Sequence, residues 1–226
     1  MTGARARVRA ELTREIADVA RRHLASQGAA ALSLRAVARE LGMASSAVYR
    51  YFPSRDDLLT TLIVDAYDAL GEEAERADAA RPRDDLRGRW HAVCSAMRDW
   101  ALAHPHEYAL LYGSPVPGYA APQTTIGPAA RVGAVLAAVV ADGVATGAVA
   151  PDTDPDEGAA LHPDIPGRLD LPVGLAARAV LAWTALFGLV GFEVFGHTEN
   201  VVVDRAGHFA RAVDRLADPL GLPPTR

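Results

Sequence analysis

The chain has 226 residues, half of them apolar and 23% charged, with 23 basic against 28 acidic side chains and a formal net charge of −5. That balance excludes a largely disordered chain and leaves enough length to bury a core in one large or two small domains. The single cysteine, Cys94, excludes an internal disulfide framework and a cysteine-built zinc site.

No charged-then-apolar export signal opens the sequence, so a soluble, cytoplasmic protein is expected. The mean charge hides an asymmetry. Residues 1–56 carry ten Arg and five acids, whereas the rest carries 13 Arg and 23 acids. A basic N-terminal segment on an acidic body points to a polyanionic partner for the small part only. Every basic residue is Arg, which base composition explains as readily as function, because the acidic part lacks Lys as well.

Leu12, Ile16, Val19, Ala20 and Leu24 recur at helical spacing, and Gly28 stops that first helix. Ser33 is a good N-cap for a second helix, Leu34 to Leu41, closed by Gly42. A third lies between Ser45 and Phe52, ahead of Pro53. Ser54, with Asp57 three residues on, starts a fourth that runs to about Ala80. A fifth fits Asp84 to Ala103, a short sixth Glu107 to Tyr112, and a seventh Thr125 to Ala145. Residues 146–171, rich in Pro and Asp, read as an acidic loop. Two last helices span Val173–Phe195 and Val201–Leu216. The expected fold is all-α, with about nine helices and no sheet: a helix-turn-helix headpiece over residues 1–56 and a helical body over 57–226.

Ala179 to Phe192 is an uncharged, mostly apolar run of 14 residues between Arg178 and Glu193. A bilayer span needs roughly 20, so the run is expected in a core or a subunit interface.

The strongest constellation is LRAVARELGMASSAVYRYFP, residues 34–53. Ala38 is small enough for a second helix to approach, Gly42 suits the positive-φ turn, and Val37, Leu41, Met43 and Val48 form the core behind the pair. Ala38, Gly42 and Val48 together have the spacing of a DNA-binding helix-turn-helix, whose second helix enters the major groove.

The longer stretch LSLRAVARELGMASSAVYRYFPSRDDLL, with its Tyr49-x-Tyr51-Phe52-Pro53-Ser54-Arg55 signature, resembles the N-terminal domain of the TetR (tetracycline-repressor-like) transcription regulators over roughly residues 10–60. The resemblance implies an all-helical homodimer with a DNA-binding headpiece and an effector-binding, dimerising body. It also implies that Ser45, Ser46 and Ala47 face base edges and that Tyr49 and Tyr51 meet phosphates. Arg55 matches the basic residue at the start of the fourth helix, and Ser33 the hydroxyl residue beside a phosphate. Arg50 falls at a variable position that reaches either bases or backbone. Ala44 departs from the family's usual Ser or Thr, so Ser45 is open to two roles, helix cap or base reader. Phe52 is expected in the headpiece core.

In the body, Trp90, Met97, Trp100, His104, Tyr108 and Tyr112 fall at gaps of 7, 3, 4, 4 and 4, one stripe on a continuous helix that Pro105 bends. Trp…Trp-Ala-x-x-His-Pro-x-x-Tyr-x-Leu-Leu-x-Gly resembles the WHG type of TetR effector domain over roughly residues 86–215. Two readings stay open for the stripe: core packing, or a ligand cavity with His104 and Tyr108 as polar handles, closed by Trp183 and Phe187. An apolar or planar effector would suit the second. The small-faced eighth helix (Ala182, Leu186, Leu189) and the ninth (Phe209, Val213, Leu216) match the family's dimer bundle, with intramolecular packing as the alternative.

Enzymatic readings lack a constellation. His104 and His106 diverge on a helix, no glycine-rich phosphate loop is present, and Cys94 lies in an apolar register. No metal, cofactor or catalytic group is expected. The sequence leads to a ligand-responsive regulator, with a ligand-binding protein whose DNA binding is lost as the alternative.

Overall fold

The computed structural model describes residues 2–224. Eleven α-helices and two single-turn 3-10 segments, with no strand among the described residues, make the all-α fold. They are α1 Thr2–Gln27, α2 Leu34–Glu40, α3 Ser45–Val48, α4 Arg55–Ala79, α5 Leu86–Ala103, α6 Pro105–Tyr112, α7 Ile126–Ala145, α8 Pro155–Gly158, α9 Ile165–Leu169, α10 Val173–Val194 and α11 Arg205–Ala217. The residues cluster in two compact units. One holds the chain up to Asp68 together with His104–Ala129, and the other holds Ala69–Ala103 with Ala130 onward.

In the first unit, Ile16, Ala20, Leu34, Val37, Val48, Phe52, Leu58, Leu59 and Leu62 form one buried cluster. Polar groups pin α6 to this unit. Arg21 on α1 pairs with Asp18, with Asp65 of α4 at 2.6 Å and with Glu107 of α6 at 3.5 Å. Glu107 also meets His104 Nδ1 at 3.0 Å. The Tyr67 and Tyr112 rings meet edge to face, with centroids 5.9 Å apart.

The second unit is organised around α5. Trp90 is buried, and its indole N–H donates to the carbonyl of Val213 on α11 at 3.1 Å. Arg87 donates to the carbonyls of Leu222 (2.7 Å) and Pro223 (3.1 Å) and pairs with Asp214 and Asp218, so it fastens the chain that follows α11. Arg98 donates from Nε and Nη2, one edge of its fork, to both carboxylate oxygens of Glu193 on α10. Arg178, at the other charged end of the apolar run, pairs with Glu157 at 2.9 and 3.0 Å and also with Asp152. By length and composition α10 and the segment Gln123–Ala145 could each cross a membrane. Both charged residues bounding the run of α10 are nevertheless spent on partners within the protein.

Three departures from the sequence expectations have local causes. α1 begins ten residues before Leu12, where no apolar periodicity marks it. Residues 146–171 contain the single-turn helices α8 and α9; Asp154 caps α8 by accepting the Asp156 N–H at 3.0 Å, with Pro155 in the first turn. The last helix starts at Arg205 because Asp204 caps it through the Gly207 N–H, which leaves Val201 and Val203 exposed outside it.

Arg89 is fully buried and ion-paired with Asp78 (2.7 Å) and Asp142 (2.8 Å). Burial opposes ionisation of Asp78, but hydrogen bonds from Arg89 and Arg83 outweigh it and hold its carboxyl below the usual range. This pair therefore stabilises the fold fully above the ordinary aspartate range and loses its contribution as acid protonates Asp78. Asp78→Ala leaves the buried Arg89 charge with the more exposed Asp142 and should lower the unfolding free energy by about 3 kcal/mol in urea melts. Asp142→Ala, at a more exposed carboxylate, should cost clearly less.

Candidate nucleic-acid interface

The helix pair is set by a reversal at Gly42. Its φ is +64°, a region closed to most side chains, and the two bonds of a Schellman turn close α2. The Met43 N–H donates to the Ala38 carbonyl at 2.9 Å and the Gly42 N–H to the Arg39 carbonyl at 3.2 Å. Ala38, Val37 and Val48 are fully buried behind the turn, with Leu41 and Met43 packed against them, as the spacing predicts.

α3 is one α-helical turn, Ser45–Val48, continued by turn structure to Tyr51. Ala44 occupies the N-cap in an extended conformation and offers no side-chain bond. The helix therefore starts at Ser45 without a hydroxyl cap, and the alternative of Ser45 as the cap does not arise. Ser45, Ser46 and Arg50 are exposed, Tyr49 is 43% exposed, Ala47 and Tyr51 are half-buried, and Phe52 is core. Ser33 sits at the N-cap of α2, half-buried and with no side-chain cap bond. Ser54 and Asp57 exchange bonds at the head of α4: the Ser54 hydroxyl donates to the Asp57 carboxylate at 2.7 Å and accepts the Asp57 N–H at 3.1 Å.

Arg55 has a duty that sequence reasoning missed. Its Nε donates to the Leu32 carbonyl (3.2 Å) and its Nη2 to those of Ala29 (2.8 Å) and Ala30 (3.4 Å). The fork thus collects the carbonyls of the link between α1 and α2. Nη1 reaches the carboxylate of Asp56 at 3.5 Å. The missing signal is long-range: nothing near residue 55 shows that carbonyls 23 to 26 positions earlier face it.

The aromatic stripe divides at His104, which leaves helical geometry (φ −126°, ψ 55°) before Pro105 starts α6. Trp90, Met97 and Trp100 lie buried on α5, while His104 is exposed, Tyr108 buried and Tyr112 half-buried in the other unit. Burial pushes the Tyr108 and Tyr112 hydroxyls, like the Cys94 thiol, far above their ordinary pKa, so all three stay protonated. Trp183 and Phe187 form an edge-to-face pair on α10, 5.5 Å between centroids. A cavity of about 370 Å³ in the first unit is lined by Leu24, Ala29, His106, Leu110 and Val116 among others, not by Tyr108 or Tyr112.

Of the residues expected at a dimer interface, Ala182, Leu186, Phe209 and Val213 are buried inside their own chain, and Leu189 and Leu216 are half-buried. The exposed apolar side chains of α10 are instead Leu181 (66%), Trp183, Phe192 (61%) and, just past its end, Phe195.

Arg55→Ala removes charge-assisted bonds to three carbonyls and should lower the unfolding free energy of the protein by about 2 kcal/mol. Gly42→Ala meets no neighbour but is strained by its φ, and should cost about 1 kcal/mol. Chemical melts of the two variants check both values.

Comparison with known proteins agrees with this architecture. Residues 16–62 match the profile of "Bacterial regulatory proteins, tetR family", and residues 90–216 match "Tetracyclin repressor-like, C-terminal domain". The chain is 41% identical over 199 residues to the HTH-type transcriptional regulator Rv1816 of Mycobacterium tuberculosis, covering 86% of this chain and 85% of that one. The HTH-type transcriptional regulator Mb1846 of Mycobacterium bovis is similar to the same extent. The crystal structure of SCO4313 superposes with a TM-score of 0.79 at 35% identity, covering 95% of this chain and 98% of the other. The TetR family transcriptional regulator PfmR of Thermus thermophilus shares the fold, with a TM-score of 0.59 at 18% identity over 89% of this chain and 96% of its own. With a helix-turn-helix at its N-terminus and a family match across both parts of the chain, the protein belongs to the TetR family of HTH-type transcriptional regulators.

Proposed function

We propose that the protein is a cytoplasmic repressor that binds a palindromic DNA operator as a homodimer and is released from it by a small ligand. The observation that carries this reading is the surface formed by Ser45, Ser46, Tyr49 and Arg50, exposed on a short helix that buried Val48 and Phe52 hold from behind. Side chains as short as Ser and Ala let the helix sit deep in the major groove, with hydroxyl bonds to base edges and methyl contacts to thymine. Ser33, Tyr49, Tyr51 and the Nη1 edge of Arg55, which exchanges its long contact with Asp56 for the anion, would then meet phosphates, which supply much of the affinity.

A twofold dimer fits a palindrome when its recognition helices stand about 34–36 Å apart or a multiple of that. The proposed partner surface is the exposed face of α10, where Leu181, Phe192 and Phe195 present apolar area to solvent. Effector binding is assigned to the aromatic groups: Trp90, Met97, Trp100, Trp183 and Phe187 in the one unit, and His104, Tyr108 and Tyr112 in the other. The buried members are packed side chains, so a ligand must bind a minor, opened state and stabilise it over the DNA-competent one. An apolar or planar molecule matches that lining. No catalytic role is assigned to any residue.

Fluorescence anisotropy on the intergenic DNA beside the protein's own gene, against scrambled duplex, tests the reading. Preference of roughly a thousandfold, falling steeply with salt, is expected. Tyr49→Phe and Arg55→Ala should both weaken binding, and the Arg change should also flatten the salt slope by about one unit. Phe192→Asp should shift the protein to monomer in sedimentation velocity; a variant that stays dimeric removes α10 as the partner surface.

A further inference from the structure

Residues 3–11 of α1 bury nothing. All are exposed, Val8 among them at 54%, and the helix first reaches the core at Ile16. What holds this stretch is the end of the recognition segment. Arg9 Nη2 donates to the Arg50 carbonyl at 3.1 Å, and the Arg9 guanidinium lies 5.1 Å from the centroid of the Tyr51 ring. The result is a notch of about 410 Å³ lined by Ala4, Arg5, Val8, Arg9, Arg50 and Tyr51.

Three arginines and a tyrosine therefore line one notch, with no acidic residue among the lining. Among the described residues neither Arg5, Arg9 nor Arg50 has an acidic partner, although most other arginines of the chain do. Arg5 and Arg9 stand four apart on one helix face, a like-charge spacing that disfavours the helix. Arg9 is held by the Arg50 carbonyl and the Tyr51 ring, but the like charge of Arg5 beside it is uncompensated, and an anion seated between them would relieve the repulsion and accept several forked bonds at once.

We propose that this notch holds a backbone phosphate of the DNA duplex flanking the groove that α3 enters. The proposal rests on the operator-binding reading and adds Arg5 and Arg9 to it. A helix about 10–12 Å across fills a major groove about 12 Å wide, so the residues just past its end face the sugar-phosphate strand. Arg50 and Tyr51 are those residues, and α1 brings Arg5 and Arg9 to them. The notch contributes affinity without sequence preference, because a phosphate is the same beside every base.

The test uses the full chain, measured by anisotropy across a salt series on self-regulatory and scrambled duplexes. Among the described residues the Arg5 side chain has no hydrogen bond or ion pair to lose, so Arg5→Ala is the primary variant; Arg5→Ala/Arg9→Ala is the second. Each should reduce the magnitude of the salt slope by about one unit and weaken binding about tenfold at low salt, equally on both duplexes. Arg7→Ala, on the same helix but outside the notch, removes the same charge and should leave the slope within a few tenths. An unchanged slope for Arg5→Ala, or an equal fall for Arg7→Ala, overturns the notch. Failure of the unaltered protein to prefer its own duplex overturns specific operator binding instead, while the slopes on either duplex still decide the notch.

Discussion

The positive-φ reversal at Gly42 is the constraint on which the N-terminal unit depends. It turns the chain between two helices of seven and four residues, both too short to persist on their own hydrogen bonds. Their stability has to come from packing, and the turn makes packing available by laying Val48 and Phe52 against Val37 and Ala38. The recognition helix is in consequence a rigid surface without being a stable helix in itself. Two arginine clamps complete the arrangement from opposite sides: Arg55 gathers the carbonyls ahead of α2, and Arg9 takes the carbonyl of Arg50 just beyond α3.

Arginine does comparable work in the second unit, with a different electrostatic result. Arg87, Arg89, Arg98 and Arg178 each span elements far apart in sequence, and each has carboxylate partners. A fork that satisfies two acceptors in one plane suits such sites better than a lysine point charge would. His91 and Arg87 both bond Asp214, which holds that carboxyl below its ordinary range and keeps α11 charged where it meets α5. Among the described residues the body therefore spends most of its arginines on internal ion pairs, and the headpiece leaves more of its own unspent.

How much of this was legible in the sequence follows from the range of the interactions involved. The turn at Gly42, the Ser54 start of α4, the core role of Phe52 and the helical run of α10 all depend on neighbours within a few residues, and short patterns reveal them. The early turns of α1 have no apolar period, because their support comes from Arg50 and Tyr51 some forty residues on. The Arg55 clamp is hidden for the same reason. α10 shows a further limit: it is apolar nearly all round, so its pattern cannot distinguish Leu186, which is buried, from Leu181, which is exposed. Helices of a single turn, such as α8 and α9, are too short to have a period at all.

The contrast between spent and unspent arginines also explains how a chain of net charge −5 can address a polyanion. At physiological salt a charge is felt over about 8 Å, so an anion responds to the groups within that distance far more than to the net charge of the chain. What counts is the number of cationic groups within that radius that have no carboxylate of their own. An arginine already paired inside the protein must give up a partner to gain a phosphate, and the exchange leaves little net attraction. An unpaired one releases a counterion at no such cost. Net charge is thus a weaker guide than the distribution of ion pairs to which surface of such a chain attracts an anion.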